Sequence, residues 1–297
     1  MRRDLDKIKS YTTVDWHTHL SLKSALFHRD LCKHHNRRIF SRGFSPLTSR
    51  ADFPKMIQGG LDVSLSVAYI PEVEWQDDIP PIRWLKWLAP RAWKRIFGAD
   101  SYYEATITAI QDVEEQAAKH NIENRDQDWY RRVAICRCYS DVKQAIREKA
   151  LAIVHAVEGG HSLQGEVCGK EEDDFKYAPY EDAKKEVMAN LLDFKQRGVA
   201  YLTLAHFYPN IVSNPVFPYP EYTSKFAKWH PMLGRWDTTQ GLTRIGMDVV
   251  ERCFDLGIIV DLAHSTPMAR SQVYALAEAN DAECQVIASH TGAYEIK

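Results

Sequence analysis

Charge excess, glycine-rich loops, paired cysteines and long apolar runs are all missing from this chain, and each absence removes a class of function. Its 297 residues carry 38 Lys and Arg against 40 Asp and Glu, a formal net charge of -2. No tail of either sign is present, and the mixed-sign charge argues against nucleic acid as the main partner, because phosphate binding needs a concentrated basic surface. The basic start MRRDLDKIKSYTT is followed by no apolar run. Neither a signal peptide nor a membrane anchor is therefore expected, and the expected location is cytoplasmic. Nothing has the form of a glycine-rich nucleotide loop. The six cysteines (Cys32, Cys136, Cys138, Cys168, Cys253, Cys284) contain no CxxC pair. That pattern fits reduced, mostly buried thiols rather than a disulfide framework, with Cys136 and Cys138 expected on one strand face.

At 45% hydrophobic and 26% charged residues, the chain can bury a sizeable core. Strand-like runs recur at Val14 to Leu20, Val63 to Ile70, Leu151 to Val157, Val199 to His206, Ile258 to His264 and Gln285 to His290. Helical patterns lie between most of them. Over 242–256 a stripe of Ile245, Val249, Val250, Cys253 and Phe254 ends at Gly257, and 182–197 repeats the grammar with Gly198 as its stop. A third helix over 267–280 has Ser265 and Thr266 as cap candidates and Pro267 in its first turn. Repeated strand–helix units with apolar strands predict a parallel sheet covered by helices, either a barrel or a doubly wound sheet. Two long stretches interrupt the alternation, at about 71–130 and 208–240. The first holds a basic aromatic patch (Trp84, Trp87 and Trp93 among Arg83, Lys86, Arg91, Lys94 and Arg95) and a helical run over 101–121. Insertions of this length usually form lids, substrate walls or oligomer contacts.

Metal-ligand residue types stand where the strands end. If the first strand alternates regularly, Asp15, His17 and His19 share one face, and two imidazoles at i, i+2 can reach one divalent ion. Glu158 closes LAIVHAVEGG, where Gly159 and Gly160 allow a sharp turn. Its carboxylate needs a partner in an apolar strand end, which a metal or an Arg would supply. His264 closes GIIVDLAHS, His290 closes QVIASHT and His206 closes VAYLTLAH. A lone histidine in such a place is usually a hydrogen-bonded core residue; several at different strand ends are hard to explain by packing, because parallel barrels build their sites there. His28, His34 and His35 sit in FHRDLCKHHNRR and read as a solvated helix face. His155 should point away from Glu158 toward a helix, and His161 could hold a ligand or substrate group.

The blocks VDWHTHL, VEGGHSL, YLTLAHFYPN, GLTRIGMDVVERCFDLGIIVDLAHST and VIASHTGAY together resemble the renal-type membrane dipeptidases, zinc peptidases among the amidohydrolase-like barrels. The resemblance implies a single metallohydrolase domain over 1–297, a TIM-type (β/α)8 barrel lacking the last two strands in this chain. It implies two zinc ions, or one, held by His17, His19, Glu158, His264 and His290, with Glu158 as the bridge. His206 would be the catalytic substrate-binding residue, and Asp15 and His161 would support the ligands. The implied reaction is hydrolysis of a dipeptide or related small amide by a metal-bound hydroxide, in a protein free to form a homo-oligomer. Position 19 departs from the family, which has Asp there; an imidazole makes the site more positive and favours nitrogen-preferring ions. The family's proton-accepting Asp lies on the last strand, beyond Lys297. Two alternatives therefore stand: a catalytically impaired relative that binds metal, and an amidohydrolase acting on a lactone, N-acyl compound or phosphoester.

Overall fold

Every residue of Val63–Tyr69 is buried in the computed structural model, as expected of an unbroken apolar run whose parallel strand is covered on both faces. The structure describes residues 11–27, 29–35, 51–78, 84, 86–88, 90–216, 239–280 and 284–290. They fall into two compact units, one of residues 1–69 and 107–156, the other of residues 70–106 and 157–297.

In the first unit the strands are β1 (Val14–Thr18), β2 (Val63–Tyr69), β3 (Val133–Cys136) and the first six residues of β4 (Leu151–Glu158). Their hydrogen-bonded order is β1-β2-β4, with β3 also pairing β4. The helices are α1 (Leu20–Phe27), α2 (Phe53–Gln58), most of α3 (Tyr102–Glu123) and α4 (Tyr139–Arg147). Asp52 caps α2 by accepting the Lys55 N–H, with Pro54 in the first turn. Leu31, Phe53, Met56, Val113, Ala117, Val133, Leu151 and Ile153 form the core of this unit. The register of β1 slips: Val14 and Asp15 face Val63 and Ser64, but Thr18 faces Ser66. The extra residue is a bulge, so strict alternation does not hold through His17.

The second unit pairs the end of β4 with β5 (Tyr201–Thr203), β5 with β6 (Ile259–Asp261) and β6 with β7 (Val286–Ile287), all parallel. Between them run α5 (Tyr180–Gln196), α6 (Arg244–Leu256) and α7 (Pro267–Ala279). The expected stripe of α6 is buried, from Ile245 and Val249 to Cys253 and Phe254, and Gly257 ends the helix in the left-handed region at φ 63°. Thr266 caps α7 by accepting the Ala269 N–H, with Pro267 behind it. Among the described residues no helix is long and apolar enough to cross a membrane.

Several expectations change in detail. Cys136 ends β3 and is buried, whereas Cys138 precedes α4 and is exposed, so the two do not share a strand face. The segment around His34 and His35 is a turn, not a helix face. Leu31 and Cys32 are buried there, and the His35 ring bonds the Asp30 carbonyl at 2.7 Å. His28, Arg83 and most of the second insertion (217–238) lie outside the described residues. Pro90 opens the helix Pro90–Phe97, and Trp84 and Trp87 before it are exposed. His155 does face a helix, 3.6 Å from Glu114 of α3. All six cysteines are free; burial pushes the thiols of Cys32 and Cys253 up to about 12 and that of Cys136 up to about 11, and Cys168 also rises.

Candidate metal centre

Four chain segments of the second unit deliver ionisable groups to the ends of its strands. Glu158 is the last residue of β4 and only 1% exposed. The backbone then turns through Gly159 at φ 97° into a short 3-10 turn, Gly160–Leu163. Both glycines are required. A Cβ on Gly159 would stand 2.2 Å from the His161 ring, and one on Gly160 would stand 2.6 Å from Val212 and 2.7 Å from the Leu204 carbonyl.

Around Glu158 the imidazoles converge. Its Oε1 lies 3.4 Å from His264 Nε2 and 3.3 Å from His290 Nε2, and those two nitrogens are 2.9 Å apart. Its Oε2 lies 3.9 Å from His206 Nε2. Ligand atoms on a tetrahedral ion with bonds of about 2.0–2.1 Å are separated by about 3.3 Å. The spacing therefore fits a small divalent cation, and the donor set of one carboxylate and imidazole nitrogens suits zinc. Among the described residues Glu158, His206 and His264 form one group whose ligand atoms all lie within 4.8 Å. His264 adopts a left-handed backbone at φ 62°, uncommon for a non-glycine residue. The Val216 N–H bonds its carbonyl at 2.8 Å and holds the turn.

His206 has its own partner. Its Nδ1 donates to Glu72 Oε1 at 3.1 Å, and the Phe207 N–H donates to the same oxygen at 3.0 Å. Burial opposes charge on His206, yet Glu72 and then Glu158 outweigh it and raise the imidazole above its ordinary value. Burial likewise works against the Glu72 carboxylate, but the charge and hydrogen bond of His206 prevail and hold it at about 2. Phe207 stacks on Trp75 at 5.4 Å and meets His264 edge-on at 5.7 Å, forming an apolar wall beside the cluster.

Asp261, at the end of β6, is fully buried. Oδ1 accepts the N–H groups of Ala263 and Ser289, and Oδ2 accepts the hydroxyls of Thr203 and Ser289. Ser289 Oγ in turn lies 2.9 Å from His290 Nδ1. Glu72, Asp261 and Ser289 were not legible as site residues beforehand. The one available signal was a carboxylate inside the apolar run GIIVDLAH, which demands buried partners.

The remaining candidates sit as follows. His161 is buried and donates Nε2–H to the Ile70 carbonyl at 2.8 Å; burial lowers its pKa, and its ring meets Tyr102 edge-on. In the first unit His17 Nε2 and His19 Nε2 stand 3.1 Å apart despite the bulge, a pair able to share one ion. Asp15 is exposed, and its carboxylate accepts the His17 backbone N–H at 3.0 Å.

Residues 183–297 match the family described as membrane dipeptidase, peptidase family M19. A curated relative, dipeptidase verJ of Clonostachys rogersoniana, is 25% identical over 198 residues, covering 67% of this chain and 39% of the relative. The probable dipeptidase PvdM from Pseudomonas aeruginosa superposes with a TM-score of 0.57 at 15% identity, over 97% of this chain and 55% of that one. A metallopeptidase from Rhodobacter sphaeroides, solved with a phosphinate mimic of the dipeptide L-Ala-D-Ala, gives 0.55 at 16% identity, over 94% and 65%. The chain thus spans less than two thirds of the length of each of these relatives. At such identities the solved structures establish the fold, a mixed α/β arrangement of parallel strands consistent with part of a TIM-type barrel. By sequence match over residues 183–297 and by its curated relative, the chain is similar to the membrane dipeptidases of peptidase family M19.

Proposed function

We propose that this protein is a zinc-dependent hydrolase of dipeptides or related small amides, with His17, His19, Glu158, His264 and His290 as metal ligands and up to two ions bound. The observation that carries this reading is the triangle of Glu158 Oε1 with the Nε2 atoms of His264 and His290, whose sides are 3.4, 3.3 and 2.9 Å. Bound zinc would supply Lewis acidity and an acidified water. The chain's own groups do the rest. His206, oriented through Nδ1 by Glu72 and favoured in its charged form, presents Nε2–H as a donor to the oxygen of a scissile carbonyl as negative charge develops there. Phe207 and Trp75 supply an apolar wall that limits water at the reacting bond. Six free thiols suit a reducing compartment, and we place the protein in the cytoplasm.

The test is direct. Protein prepared metal-free and reconstituted with zinc should bind the ion stoichiometrically by elemental analysis and hydrolyse members of a dipeptide panel, and chelators should abolish the activity. Protein that takes up no zinc and cleaves no dipeptide would remove the proposal; stoichiometric zinc without turnover would leave a metal-binding protein only.

A further inference from the structure

We propose that Asp261, acting through the Ser289 hydroxyl, is a positioning residue that fixes His290 in the tautomer able to bind a cation. The inference rests on the reading of His290 as a metal ligand, but its geometry stands independently of that reading. Asp261 already accepts the Thr203 hydroxyl at 2.6 Å and the N–H groups of Ala263 and Ser289 at 3.1 and 2.8 Å. Its carboxylate acts as acceptor to all of them. The 2.7 Å contact between Ser289 Oγ and Asp261 Oδ2 must therefore use the serine's only hydroxyl hydrogen.

That hydrogen cannot serve twice. The 2.9 Å contact from Ser289 Oγ to His290 Nδ1 then has the imidazole as donor. A neutral imidazole carrying its proton on Nδ1 keeps its lone pair on Nε2, the atom that stands 3.3 Å from Glu158 Oε1 and 2.9 Å from His264 Nε2. The anchor is rigid because Asp261 ends β6, between β5, which carries Thr203, and β7, which leads into Ser289. Orientation of a ligand by a hydroxyl backed by a buried carboxylate costs typically 10–100-fold in metal affinity or activity when it is lost.

Two measurements on the full chain decide the matter. Long-range proton–nitrogen correlation spectra of the 15N-labelled, metal-free protein, with His290 assigned by its loss in His290→Gln, report the tautomer directly. The parent should show His290 protonated on Nδ1, Ser289→Ala should lose that preference, and Ser289→Thr should keep it. Competition with a chromophoric chelator should show zinc binding about 10–100-fold weaker in Ser289→Ala and restored to within a few-fold in Ser289→Thr. Melting of the metal-free Ser289→Ala protein should match the parent, which separates positioning from folding; Asp261→Asn repeats the test at the carboxylate if it folds. A parent His290 protonated on Nε2, or a Ser289→Ala protein with unchanged tautomer and affinity, overturns the inference. A parent that binds no zinc removes the metal reading, while the tautomer still decides the relay.

Discussion

His206 and Glu72 are both buried, and each stabilises the charged form of the other against the cost of burial. Truncating His206 to Ala removes the donor proposed for the developing oxyanion without touching the Glu158–His264–His290 triangle. The expected result is a fall in kcat of about 100–1,000-fold with zinc content unchanged by elemental analysis; loss of zinc together with activity would make His206 a ligand instead. At Gly159 the prediction concerns stability. A methyl group there meets the His161 ring at 2.2 Å, on a backbone already at φ 97°, so Gly159→Ala should destabilise the protein by about 1–3 kcal/mol in chemical denaturation. His206, His264, His290 and Glu158 could be picked out in the sequence because each closes an apolar run, and His17 with His19 by their i, i+2 spacing. Glu72 and Ser289 could not, since a glutamate in a loop and a serine before a histidine acquire meaning only when the fold supplies Phe207, His206 and Asp261 as neighbours.

The elements divide in the same way. Helices α6 and α7 were readable almost to the residue because their stops and caps are local, Gly257 for one and Thr266 with Pro267 for the other. Strand β3 was legible only as a strand face at Cys136: VAIC is four residues long, and its extent comes from pairing with Leu151–Val154 of β4, a long-range fact. The bulge in β1 was likewise invisible, as it is a mismatch with β2. One tie between a loop and a helix carries a pH signature. Burial opposes charge on Asp30, but Lys119 of α3 at 2.7 Å, the Cys32 N–H and Lys33 prevail, lowering the carboxyl from 3.8 to about 2. A depressed carboxylate stabilises the fold above its unfolded pKa and loses that contribution as pH falls through the folded value. Acid titration of stability should therefore steepen between about pH 4 and pH 2, and Lys119→Met should flatten that part of the curve. An identical profile in the variant would show that the ion pair contributes nothing.

For the whole molecule, the proposed ions should count toward folding, since an unfolded chain holds no such ligand cluster. Zinc at about 100 times its dissociation constant should stabilise the metal-free protein by about 2.7 kcal/mol, seen as a rise in melting temperature that chelator reverses; no shift on adding zinc would count against binding. The thiols have another use. Cys32 and Cys136 lie buried in the first unit, Cys168 and Cys253 in the second, and burial keeps all four protonated and unreactive at neutral pH. An alkylating reagent can reach any of them only when the surrounding structure opens, so the rate at which each is modified clocks that opening. The protein thereby carries two built-in stopwatches, one pair of thiols per unit, and mass spectrometry of timed alkylation would tell the rate at which each unit opens.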